Sequence, residues 1–245
     1  MHSAGRFLTM RLALLLACVL AVPVSAVAGQ AATITSATYG QPTTRYQHGV
    51  LGDTIEYGAL ELRLSDGSAR TLTLPKSRVF EDLAPRLVDV DLDGDPEIIA
   101  VESSLTLGAR LSIYDENGLL TATPYIGRSH RWLAPIGAAD LDGDGHIEIA
   151  YIDRPHLAKT LRIWRYKSGQ LINIANQSGY TNHRIGWDFI LGGIRECAND
   201  LEIITASGNW SQIMATKLSA DGQLISSEIG SYDRPEDLTS ALTCP

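Results

Sequence analysis

The chain has 245 residues, of which 44% are hydrophobic, and it sets 28 acidic side chains against 20 basic ones for a formal net charge of −8. That balance argues against nonspecific binding to nucleic acid, whose phosphates an acidic surface repels. The length suits one large domain with its own core, and no low-complexity linker divides it.

Residues 1–28 read as an export signal: Arg6 and Arg11 precede an apolar run from Leu12 to Val22, followed by Pro23 and the small residues Ala26 and Ala28. The apolar run is shorter than the roughly 20 residues of a membrane span, and no later segment approaches that length. A mature domain of residues 29–245, periplasmic or secreted and without a transmembrane segment, is therefore expected. Its net charge would be about −10, since the leader removes only two arginines. An alternative is processing as a lipoprotein tethered at Cys18, although the apolar run continues past that cysteine. Loss of Cys18 leaves Cys197 and Cys244 as an even pair in an oxidising compartment, so a disulfide between them is expected.

Down the mature chain, short β-like runs end in turn dipeptides. Leu60–Leu64 leads to Asp66-Gly67, Leu111–Tyr114 to Asn117-Gly118, Leu161–Trp164 to Ser168-Gly169, and Met214–Leu218 to Asp221-Gly222. Further apolar runs follow, among them Leu72–Leu74, Leu119–Thr123 and Leu171–Ile174. The turn glycines recur at 51, 51 and 53 residues, and glycine supplies the positive φ of tight hairpins. Between these hairpins lie two more strands per unit. Arg86–Val88 and Ile98–Val101 flank one acidic loop, and Ile136–Ala139 and Ile149–Ile152 flank another. Ile190–Ile194 and Glu202–Ala206 flank a third segment that has lost most of its acids. Four short strands in about 50 residues, repeated four times, predict an all-β fold, a small β-propeller of about four four-stranded blades.

The acidic loops carry the chemistry. Asp89, Asp91, Asp93, Gly94 and Glu97 recur 51 residues later as Asp140, Asp142, Asp144, Gly145 and Glu148. Carboxylates on alternate residues of one turn repel unless a cation offsets them, and oxygen-only donors select a hard one, calcium before magnesium. The twelfth positions, Ala100 and Tyr151, fall inside predicted strands, which excludes an EF-hand.

The stretches VDVDLDGDPEIIAVES and AADLDGDGHIEIAYID resemble the FG-GAP or VCBS repeats of integrin-type β-propellers. The resemblance is strong over residues 83–166, fair over 183–225 and weak before residue 60. Residues 45–60 also resemble bacterial exported repeat proteins without an assigned activity. The resemblance implies calcium in the hairpin between the first two strands of a blade. Asp89, Asp91, Asp93, Asp95 (through its carbonyl) and Glu97 would hold one ion, and Asp140, Asp142, Asp144, His146 and Glu148 the other. Aligning Glu202 with Glu97 and Glu148 puts Ile194, Glu196 and Ala198 where the aspartates would stand, so no calcium is expected there. Cys197, bonded to Cys244, would pin that turn instead.

In such a blade the ion loops lie on one face, and the opposite face collects basic and aromatic residues. Arg45, Arg78, Arg131 and Arg184 each open a predicted inner strand, the last three at intervals of 53. Forked guanidinium groups pair with carboxylate or phosphate, so Arg78, Arg131 and Arg184, with His130 and His183, form the candidate binding set for an anionic small molecule or acidic glycan. The competing reading has these arginines pinning neighbouring blades through carboxylates such as Glu81, Asp153 or Asp188. His48, His130, His156 and His183 match no compact ligand motif, and HExxH, GxSxG and glycine-rich nucleotide loops are absent. No catalytic set is assigned. A binding or interaction module is the preferred reading. A hydrolase or lyase on an anionic sugar, with His130 and His183 as acid–base groups, is the second, and a structural part of an envelope complex is the third.

Overall fold

The computed structural model describes residues 1–2 and 32–244. The expected leader, apart from its first two residues, and Cys18 with it, lies outside the described residues. Compact packing divides the chain at Ala31/Ala32, and the strands and helix of the described residues all belong to the second unit.

The unit opens with a three-stranded antiparallel meander of β1 (Ile34–Thr43), β2 (Glu56–Leu64) and β3 (Ala69–Thr73). Next, β4 (Arg78–Phe80) and β5 (Arg86–Val88) both pair with β6 (Glu97–Ser104), which continues through β7 (Gly108–Tyr114) to β8 (Leu119–Ala122). A single pairing, Tyr57 with Phe80, joins these two groups into one eight-stranded sheet. A separate four-stranded sheet comes next, built from β9 (Leu133–Ala139), β10 (Glu148–Asp153), β11 (Thr160–Lys167) and β12 (Gln170–Ser178). In the last sheet β13 (Tyr180–Thr181) and β14 (Gly193–Cys197) pair with β15 (Asp200–Ser207), followed by β16 (Gln212–Leu218) and β17 (Leu224–Ser231). A short helix, α1 (Pro235–Ser240), closes the chain.

The architecture is thus nearly all-β, with the expected turns in place. Gly67, Gly118, Gly169 and Gly222 all take positive φ at hairpin ends. The first unit departs from the four-strand expectation because residues 44–55, between β1 and β2, form no strand and instead bond to later segments, Tyr46 to His130 and Val50 to Gly186.

The core follows from the alternation of side chains along the second strand of each unit. In β6, Ile98 and Ala100 face the cluster shared with Leu60, Leu62 and Phe80, whereas Ile99 and Val101 face the cluster of Trp132, Leu133, Ile149 and Tyr151. In β10, Ala150 and Ile152 turn the other way, to Leu161, Ile163 and Ile203. In β15, Ile204 and Ala206 pack with Leu191, Ile213, Tyr232 and Leu238. Successive sheets therefore stack face to face in chain order, which explains why β6 and β10 are buried along their whole length. The two ends of the stack differ. α1 covers the last apolar cluster with Leu238, while the outer face of β2 presents the exposed Glu61 and Arg63.

Candidate functional site

The two acidic loops are the β5–β6 and β9–β10 hairpins, and they are built alike. Both carboxylate oxygens of Asp89 accept backbone amides, from Asp93 at 3.1 Å and Gly94 at 3.0 Å, and both of Asp140 do so from Asp144 and Gly145 at 3.0 Å. Glu97 Oε2 accepts the Val90 amide at 2.9 Å, and Glu148 Oε2 accepts that of Leu141 at 2.8 Å. Asp93 and Asp144 in turn accept the amides of Asp95 and His146. Gly94 and Gly145 supply the left-handed backbone at φ +99° and +84° that lets the chain reverse inside this cage.

Carboxylate oxygens of Asp89, Asp91 and Glu97 lie within 4.8 Å of one another, and so do those of Asp140, Asp142 and Glu148. In the first loop every donor is a carboxylate. Burial, and then the neighbouring Asp91 and Asp93, push Glu97 up to about 7, and burial with Asp93 raises Asp91. This donor set fits a hard divalent cation, which would neutralise the loop and tie its two strands together.

The second loop contains a fixed cation. Arg165 in β11 reaches Asp142 Oδ2 at 2.6 Å, Asp144 Oδ2 at 2.7 Å and Glu148 Oε1 at 2.5 Å. Asp142 Oδ1 is buried with no hydrogen-bond partner. His146 lies on the loop, its Nδ1 3.0 Å from Asp144 Oδ1. In the last sheet Cys197 is bonded to Cys244, and the turn ahead of Glu202 is tight, with Ala198 and Asn199 at positive φ.

A second group of side chains gathers at the opposite ends of the same strands. A cavity of about 190 Å³ is lined by His48 from the β1–β2 connection, His130, Arg131 and Trp132 ahead of β9, Arg154 and His156 after β10, and Leu157 and Ile185. His48 Nδ1 lies 2.5 Å from Oε1 of the fully buried Glu81, whose other oxygen accepts the Ser103 hydroxyl. The Glu81 carbonyl accepts the Trp132 indole N–H at 2.8 Å. Behind the wall, His156 Nε2 meets His183 Nδ1 at 3.1 Å, and His183 Nε2 is 3.0 Å from the Trp187 carbonyl. Burial, and then the neighbouring His183, push His156 down to about 4, while burial lowers fully buried His183 against the Trp187 contact. Both shifts favour the neutral imidazole. His130 and Arg154 hold left-handed backbone at φ +54° and +47°, a conformation that β-carbon sterics disfavour and that concentrates at functional sites.

Of the five candidate ligand-binding residues, the cavity brings two together. His130 and Arg131 line it, and the Arg131 Nη1 donates to the His130 carbonyl at 2.8 Å. His183 lies buried behind it, in edge contact with Trp132. Arg78 is engaged elsewhere, 2.7 Å from buried Glu102, and Arg184 is stacked over Trp210 at 4.6 Å. Arg45 donates to the Arg78 carbonyl. Sequence reading missed the His48–Glu81 pair, because its partners are 33 residues apart and no local motif links them. It also missed Arg165, whose signal was available in the strand register opposite Glu148.

Residues 89–151 match the family model of the FG-GAP-like repeat. The matched segment is thus similar to an FG-GAP-like repeat. It begins at the first aspartate of one acidic loop and runs through the second into β10, so the FG-GAP-like repeat takes in both loops and the strands between them. No curated protein and no solved structure matches the chain significantly. Among the described residues no helix is long and apolar enough to cross a membrane.

Proposed function

We propose that the protein is an exported, calcium-stabilised binding module of β-propeller type, whose stacked sheets act as blades and whose histidine–arginine cavity receives an anionic small molecule or the acidic group of a glycan. The FG-GAP-like repeat and the stacking of sheets in chain order support the propeller reading; the leader sequence and the Cys197–Cys244 bond support export.

The observation that carries the ligand reading is the cavity itself. Arg131 uses one donor on a backbone carbonyl and lines the recess beside His48, His130 and His156. A guanidinium in that setting suits two-pronged recognition of carboxylate or phosphate, with the exposed Leu157 and Ile185 at the cavity offering an apolar surface to the body of the ligand. Calcium in the first loop would be structural, since a ring of carboxylates fills the coordination sphere.

The test is titration calorimetry with phosphate, small dicarboxylates and uronic-acid oligosaccharides. Binding of at least one of these is expected, and Arg131→Ala should weaken it at least tenfold. Undiminished binding in folded Arg131→Ala and His48→Ala proteins would overturn the assignment.

One observation favours a second reading. An imidazole oriented by a buried carboxylate, as His48 is by Glu81, is the arrangement of a general base, so hydrolase or lyase chemistry on an anionic sugar is the alternative. Turnover that vanishes in His48→Ala while binding persists would select it.

A further inference from the structure

Each of the last three units places a glutamate at or within three residues of the start of its second strand, and the third strand brings one residue opposite it. In the middle unit Glu148 pairs in register with Arg165. In the last, Ile203 pairs with Thr216, which sets Lys217 beside Glu202, 3.6 Å away and 2.7 Å from Asp200. Arg195 closes on the same glutamate at 2.6 Å. In the earlier unit Ile98 pairs with Tyr114, and the next residue is Asp115, an acid. The position that is basic in two units is acidic in the one whose loop carries five carboxylates.

We infer that the chain supplies its own cation to the second acidic loop: the Arg165 guanidinium stands where a divalent ion would bind, and the protein takes up one calcium equivalent, in the Asp89–Glu97 loop, rather than two. Arg165 makes three contacts of 2.5–2.7 Å to Asp142, Asp144 and Glu148, the same carboxylates that the second ion would need. Asp142 and Glu148 are almost completely buried, so their charges require a partner in place, and a guanidinium carried on a neighbouring strand provides one without an external ligand. Only the count of bound ions rests on the calcium reading of the first loop; the role of Arg165 does not.

The experiment counts calcium bound to the EDTA-stripped full chain by equilibrium dialysis and native mass spectrometry. One equivalent is expected in the wild type, lost in Asp91→Asn and retained in Asp142→Asn. Arg165→Gln, checked for folding by circular dichroism, should gain a second equivalent. Two equivalents in the wild type, loss of the single one in Asp142→Asn, or an unchanged count in folded Arg165→Gln would overturn the inference. A wild type that binds none, beside an Arg165→Gln variant that binds one, would uphold the arginine's role and sink the first-loop calcium site instead. If Arg165→Gln does not fold, the wild-type and Asp142→Asn counts still decide.

Discussion

Glu56 opens β2 with 3% of its surface exposed, and burial, reinforced by Glu81, Asp53 and Asp82, pushes its carboxyl from an ordinary 4.5 up to about 9. The native protein therefore holds this proton where the unfolded chain releases it. Stability from this group is fully present below the unfolded value and falls as pH rises from 4.5 towards 9. The slope is about 1.4 kcal/mol per pH unit, so between pH 5 and 8 the loss is on the order of 4 kcal/mol at most. Glu56→Gln keeps the shape and removes the titration. Urea unfolding of both proteins at pH 5, 6.5 and 8 reads the effect of Glu56 together with its coupled neighbours, because titrating groups distant from it cancel in the difference. The variant should match or slightly trail the wild type at pH 5 and exceed it progressively towards pH 8. A stability difference that stays constant with pH would refute the reasoning.

Other outcomes are expected from the same structure. Chelation of calcium at saturating supply should cost about 3 kcal/mol, a fall of roughly 6–12 °C in melting temperature by calorimetry, and Asp91→Ala should make the protein insensitive to EDTA. Replacing Cys197 and Cys244 together by serine releases a cross-link spanning 47 residues and should cost about 3–4 kcal/mol in denaturant unfolding; an unshifted midpoint would contradict it. Gly108→Ala would put a β-carbon 2.2 Å from the Arg128 carbonyl oxygen and 2.7 Å from that of Arg131 at a φ of +76°. A loss of more than about 2 kcal/mol is expected, together with altered Trp132 fluorescence as the segment entering the cavity is displaced.

The features legible in the chain were those that repeat locally. The turn glycines, the apolar runs Ile98–Val101 and Ile149–Ile152, and the two acidic loops each signal through neighbours within about ten residues, and each stands where expected. The disulfide was legible through cysteine count and compartment rather than geometry. The features that stayed hidden depend on contacts distant in sequence. Residues 44–55 carry no strand pattern, yet Val50 is buried among β6, β7, β9 and β10 side chains, and its carbonyl accepts the Gly186 amide at 3.0 Å. Tyr46, from the same connection, accepts the His130 amide on its hydroxyl at 2.8 Å. The arginines that open the inner strands looked equivalent from spacing alone. Arg78 is drawn to Glu102 because that carboxylate is fully buried and also takes bonds from Arg110, Tyr114 and Tyr125, a network assembled from β4, β6, β7 and the segment after β8.

The acidic loops and the cavity occupy opposite ends of the same strands. β9 leaves Arg131 and Trp132 at the cavity and arrives at Asp140; β10 leaves Glu148 and returns to Arg154 and His156. β6 likewise runs from Glu97 to Ser103, whose hydroxyl holds the carboxylate that orients His48. A strand of that length spans roughly 20 Å and, paired and buried on both faces, transmits a shift at one end as a shift at the other. Charge neutralisation in the loops is therefore expected to bias the position of the elements that present Arg131, His48 and Arg154, whether the neutralising cation is an ion, as proposed for Asp89–Glu97, or the guanidinium of Arg165. On this view Asp142→Asn, which touches no cavity residue, should weaken ligand binding by a few-fold through Arg154 and Arg131. A cavity whose affinity is indifferent to both loops would mean that the two ends of the hairpins are mechanically independent.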